Sequence, residues 1–136
     1  MEEKKIILVE DDIDHANLIV EVLEEEGIER NVILARDGMD AVDCFQDLSA
    51  KWGGHMECRI RLILLDLNLP KIDGMDILRF LRKNPKYRKI PVIILSTSSD
   101  KVAIDEAYKN GADDFVTKPL YYEEFVTKLK GLIEHY

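Results

Sequence analysis

Basic residues are in short supply: 19 Lys and Arg stand against 27 Asp and Glu, a formal net charge of −8 over 136 residues. Phosphate backbones and anionic membrane surfaces need clustered cations, so neither is expected as a direct partner. Long apolar runs are missing too, and none approaches the roughly 18 residues that span a bilayer. The N-terminal Met1-Glu2-Glu3-Lys4-Lys5 leads into a run too short and too soon acidic for a secretion signal. The two cysteines, Cys44 and Cys58, are too few for a disulfide framework, which fits a reducing cytoplasm. Internal repeats, low-complexity tracts and linkers are absent. Nothing follows the last helical pattern, so the expectation is a single domain over residues 1–136 without an attached output domain.

What is there is a core and an uneven charge. Hydrophobic residues make up 46% of the chain, enough for an ordered domain despite 34% charged residues. Residues 1–50 carry 15 acidic and 4 basic side chains, a net −11, whereas the remainder is net +3. Short aliphatic runs alternate with helical patterns. Ile6–Val9, Asn31–Ala35, Leu62–Leu65, Val92–Leu95 and a weaker Phe115–Thr117 read as strands. Helical spacing joins Ala16, Ile19, Val20 and Leu23, then Ala41, Val42, Phe45 and Leu48. Further helices are expected at 75–84, 101–110 and 122–134. Strands made almost wholly of Ile, Leu and Val are buried on both faces. Five of them alternating with five helices predict an α/β, doubly wound parallel sheet.

In such a sheet, ligands bind beyond the carboxyl ends of the strands. Those ends carry Glu10, Asp11 and Asp12, then Asp66, then Ser96-Thr97, then Lys118-Pro119. Clustered carboxylates raise one another's pKa unless a cation neutralises them, and a hard divalent ion such as Mg²⁺ suits an oxygen donor set. One carboxylate can then act as a nucleophile on phosphorus. Asp66 as nucleophile, Mg²⁺ and Lys118 as charge clamps, and Ser96 as hydrogen-bond donor fill every role in phosphoryl transfer. Each acid taken singly has a plainer use, since Asp favours helix caps, and Asp12 and Asp73 read that way.

The motifs ILVEDD (7–12), LILLDLNLPKIDG (62–74), PVIILSTS (91–98) and GADDFVTKP (111–119) together resemble the response-regulator receiver domains of two-component signalling, especially stand-alone ones of the chemotaxis-regulator type. The resemblance covers essentially the whole chain. It implies a flavodoxin-like sheet of order 2-1-3-4-5 and assigns roles residue by residue. Glu10 and Asp11 are the acidic pair that positions Mg²⁺, and Asn68 adds a backbone carbonyl ligand. Asp66 is the phosphoacceptor, Ser96 and Phe115 form the switch pair, and Lys118 is the lysine of the site, with Lys118-Pro119 a cis peptide. Asn68 and Ser98 stand where the family tunes phosphoryl lifetime. The implied donor is a sensor histidine kinase or phosphotransfer protein, and the implied output is non-covalent binding of a downstream protein. The face formed by the fourth helix, fifth strand and fifth helix is a possible homodimer surface, where Tyr108, Tyr121 and Tyr122 suggest an aromatic edge. Self-phosphorylation and self-dephosphorylation are implied, not turnover of a separate substrate.

Asp11 and Asp66 lie 55 residues apart, more than the family usually needs. The excess falls near 51–60, where Gly53-Gly54 suggests a loop and Trp52 an anchor. A similar longer segment with an LNLPKxDG signature occurs in regulators resembling those paired with phytochrome-type kinases. Cys44, His55 and Cys58 are one ligand short of a zinc set, so zinc is not expected. His15 reads as a solvated helix residue. Two other functions compete. A phosphohydrolase with an aspartyl-phosphate intermediate needs a second Asp two residues past the nucleophile, where this chain has Asn68. A phosphorylation-independent interaction module on the same fold usually lacks part of the acidic pair, acceptor or lysine, and all are present here.

Overall fold

The computed structural model describes residues 4–27, 31–70, 72–98, 100–118 and 122–136. Five parallel strands form one sheet, with β1 at Lys5–Val9, β2 at Val32–Ala35, β3 at Ile60–Asp66, β4 at Val92–Ser96 and β5 at Asp114–Thr117. Their order is β2-β1-β3-β4-β5, as expected. Five longer helices cover the two faces: α1 (Ile13–Glu25), α2 (Gly38–Trp52), α3 (Gly74–Lys83), α4 (Lys101–Lys109) and α5 (Tyr122–His135).

The aliphatic runs form central strands because both of their faces find apolar partners. Ile7, Leu8, Val9, Leu62, Ile63, Leu64 and Leu65 are fully buried. Odd-numbered Ile7, Val9, Ile63 and Leu65 pack with Phe45, Ile77, Leu78 and Leu81 of α2 and α3. Even-numbered Ile6, Leu8, Leu62 and Leu64 pack with Ile19, Leu23, Phe125 and Leu129 of α1 and α5. Each such side chain contributes roughly 1.5–3 kcal/mol by leaving water. Tyr87 closes the first core with its ring 5.2 Å from that of Phe45 and its hydroxyl donating to the Phe45 carbonyl at 2.6 Å.

Four helices begin on an Asp whose side chain accepts a backbone N–H: Asp12 for α1, Asp37 for α2, Asp73 for α3 and Asp100 for α4. Capping therefore accounts for these acids, Asp12 and Asp73 as expected among them. Gly27, with φ +74°, lies just past the end of α1. There the left-handed backbone suits a glycine.

The segment near 51–60 departs from the expected loop. After Gly53 (φ +54°) ends α2, a 3₁₀ turn (Gly53–His55) and a one-turn helix (Met56–Arg59) lead directly into β3. Met56, 1% exposed, and half-buried Trp52 hold it against the core. Two apolar anchors thus outweigh the Gly-Gly signal. Among the described residues, no helix is long and apolar enough to cross a membrane.

Candidate functional site

Order reverses at β1, whose neighbours are β2 and β3, and this opens a crevice at the carboxyl ends of the strands. The residues expected there converge. Glu10 follows β1, with its amide donating to the Ala35 carbonyl at 3.0 Å. Asp66 and Ser96 are the last residues of β3 and β4, and Lys118 follows β5. Among the described residues, the buried polar or charged side chains are Glu10, Asp66, Ser96 and Lys118, exposed by 1, 1, 2 and 6%. Buried polar and charged side chains gathered at one place have a reason for being there.

The Lys118 ammonium donates to Glu10 Oε1 at 2.6 Å and to Asp66 Oδ2 at 2.7 Å. Asp66 Oδ1 accepts the Asn68 amide at 2.8 Å. Glu10 Oε2 is buried and has no partner among the described residues. Asp11 is exposed at the lip, and carboxylate oxygens of Glu10, Asp11 and Asp66 all lie within 4.8 Å of one another. Two buried carboxylates share one ammonium, and a third lies beside them. Burial, and after it the neighbouring Asp66, push the Glu10 carboxyl up to about 8 against the opposing pull of Lys118. An all-oxygen donor set, an orphaned buried oxygen and a charge deficit fit a hard divalent cation.

The other expected residues fall as follows. Asn68 is exposed, and its Oδ1 accepts from Ser96 Oγ at 3.3 Å, the Thr97 amide at 3.1 Å and Thr97 Oγ1 at 3.2 Å. Asn68 thereby ties the loop after Asp66 to the end of β4, a link that spacing along the chain does not reveal. Ser98 donates its amide to Ser96 Oγ at 3.1 Å. Phe115 is buried in the core that faces α2 and α3. Pro119, and with it the Lys118-Pro119 peptide, lies outside the described residues, as do Tyr121 and the side chain of Tyr122. Tyr108 is exposed on α4. Among the described residues, Cys44, His55 and Cys58 form no metal-ligating group, and both cysteines are free.

His15 corrects an expectation. Its Nδ1 lies 3.3 Å from Glu10 Oε1 and 3.7 Å from Asp12 Oδ2, so the ring leans over the site instead of standing in solvent. Helical side chains tilt toward the helix N-terminus, and position 15 is in the first turn of α1, above the end of β1.

Two glycines also prove to be part of the site's frame. A Cβ on Gly74 would lie 2.5 Å from the Asp66 carbonyl oxygen and 2.6 Å from Leu67 Cα. One on Gly38 would lie 2.5 Å from Ile72 Cβ. α3 can approach the Asp66–Leu67 backbone only because Gly74 has no side chain. Gly74→Ala is expected to cost about 1–3 kcal/mol in urea unfolding, because backbone cannot give way as a flexible side chain does. Unchanged stability would mean that the loop yields freely.

The model of the response regulator receiver domain family matches residues 6–130. Response regulator Rcp1 of Synechocystis is 33% identical over 129 residues, covering 95% of this chain and 86% of Rcp1. The Mn²⁺-bound structure of Rcp1 superposes with a TM-score of 0.81, at 34% identity over 96% of this chain and 91% of that one. The phosphorylated cyanobacterial phytochrome response regulator RcpA gives 0.80, at 35% identity over 98% and 93%. A response regulator receiver domain from Rhodospirillum rubrum gives 0.81, at 38% identity over 94% and 89%.

Proposed function

The chain belongs to the response regulator receiver domain family, and from that membership we propose that it accepts a phosphoryl group on Asp66 from a sensor histidine kinase or phosphotransfer protein in the cytoplasm. The observation that carries the reading is the buried Glu10–Lys118–Asp66 arrangement with its unpartnered Glu10 oxygen. Glu10, Asp11, Asp66 and the Asn68 backbone carbonyl are the residues to hold Mg²⁺. The bound ion supplies charge neutralisation at the transferring phosphoryl group.

An Asp66 carboxylate oxygen attacks phosphorus as the bond to the donor histidine nitrogen breaks, and the electron pair stays on that imidazole. Lys118, already on Asp66, offsets the charge that spreads over the phosphoryl oxygens. The Ser96 hydroxyl, now donating to Asn68, is released to donate to a phosphoryl oxygen. That movement leaves space toward which Phe115 can turn, and the face of α4, β5 and α5 changes for a downstream protein or a second copy. Such a protein is a phosphoacceptor rather than a turnover enzyme, and Asn68 offers no general acid for ester hydrolysis.

Incubation with acetyl phosphate and Mg²⁺ is expected to add the mass of one phosphoryl group, mapped by peptide analysis to Asp66. EDTA should prevent it. Label on another residue, or undiminished label in EDTA, would overturn the reading.

A further inference from the structure

At the opposite end of the sheet, where the strands begin, lies a cavity of about 470 Å³. Its cationic lining is Lys4, Arg61 and Lys89, over an apolar floor of Ile60, Ile90 and Pro91, with Tyr136 alongside. No Asp or Glu is among the described residues that line it, although the chain as a whole is net −8.

Arg61 is where it is because of an irregularity in the sheet. Lys5 pairs with Ile60, but Ile6 pairs with Leu62, so Arg61 is an extra residue in β3. A bulge of this kind re-aims a side chain. Ile60 stays in the core facing α2 and α3, while Arg61 sends one Nη2 N–H to the Ile133 carbonyl near the end of α5. Its remaining donors have no partner among the described residues, and neither do Lys4 and Lys89. The opposite wall is held in place. Arg82 Nη1 donates to the Ile90 carbonyl at 2.8 Å and the Arg88 carbonyl at 3.1 Å, and the Pro91 carbonyl accepts from Ile63 at 2.9 Å. Tyr136 is fixed through its hydroxyl to Asp114 at 2.7 Å.

We propose that this cavity binds a small organic anion bearing at least two acidic groups, with Arg61 gripping one and Lys4 and Lys89 the other. A guanidinium matches the planar fork of a carboxylate or phosphate, and lysines act as point charges beside it. The Ile and Pro floor takes the apolar body of the ligand. The volume falls within the range of roughly 300–1,000 Å³ typical of small-molecule sites. Without a divalent ion, Glu10, Asp11 and Asp66 repel anions from the far rim, so under those conditions the two ends of the sheet select opposite charges.

The test is a ¹⁵N NMR titration of the full chain at low salt, without divalent ions, using citrate, ATP and inorganic phosphate in turn. Citrate or ATP should give saturable amide shifts at residues 4, 60–61, 89–90 and 136. The tighter of the two identifies a polycarboxylate or an organic phosphate as the source, and inorganic phosphate, lacking the apolar body, should bind more weakly. Lys89→Glu and Lys4→Glu, both at exposed positions that keep the fold, should each weaken binding at least tenfold. Absent shifts at millimolar ligand, or binding in both variants as tight as in the parent, would overturn the proposal. Labelling of Asp66 by acetyl phosphate in the same variants should be unchanged, which separates this site from the phosphoacceptor reading.

Discussion

Asp66→Asn is expected to abolish labelling by acetyl phosphate entirely while leaving the metal-free protein folded. The amide keeps the volume and its single oxygen can still accept from Lys118, but its NH2 cannot accept the Asn68 amide and it has no anionic oxygen to attack phosphorus. It also removes a buried negative charge beside Glu10, one of the groups that raises the Glu10 pKa. That has a consequence for pH. An acid held higher in the folded state keeps its proton there after the unfolded chain has lost it. For Glu10 the stability present below about 4.5 is therefore lost as pH rises toward about 8. Urea unfolding of the metal-free parent should weaken across that window, and Mg²⁺ should flatten the trend. In Asp66→Asn, Glu10 loses that neighbour and ionises more readily, so the decline should be shallower without any metal. Persisting label, or an identical pH trend in both proteins, contradicts the assignment of Asp66.

Much of this was legible from the residues because the relevant signals are local. Runs such as Leu62–Leu65 and Val92–Leu95 admit burial on both faces and little else, so the parallel sheet followed from them, while its order came from the resemblance. Glu10, Asp66, Ser96 and Lys118 sit at strand ends, and a parallel sheet brings strand ends together whatever the helices do. What was not legible depends on contacts between distant segments. The need for glycine at position 74 arises only when α3 meets the Asp66–Leu67 backbone. The lean of His15 over Glu10 depends on where the Asp12 cap starts α1. The helical path through 53–59 rests on Met56 and Trp52 reaching the core, which a Gly-Gly pair conceals. The bulge at Arg61 is a matter of register, invisible in one strand alone.

Lys118→Ala should have the opposite signature, a large loss of stability together with slow labelling. Its ammonium is within 2.7 Å of both buried carboxylates and is itself almost fully enclosed. Removing one partner of a buried ion pair costs about 3–5 kcal/mol, because the charge left behind has neither water nor a counter-ion. Here the remnant is two carboxylates side by side. Glu10 escapes part of that cost by staying protonated, so the deficit in EDTA should widen as pH rises. Millimolar Mg²⁺ should recover much of it by replacing the lost positive charge, a rescue that simple cavity formation would not show. Labelling of Asp66 with Mg²⁺ present should nevertheless fall by about 10²–10³-fold, the usual cost of removing one group aimed at the transition-state charge. Lys118→Arg should restore little, since a planar guanidinium needs room that a site this closed does not have. If Lys118→Ala in EDTA matched the parent in stability at every pH, Glu10 and Asp66 would not be competing for one cation, and the charge deficit assigned to this site would be wrong.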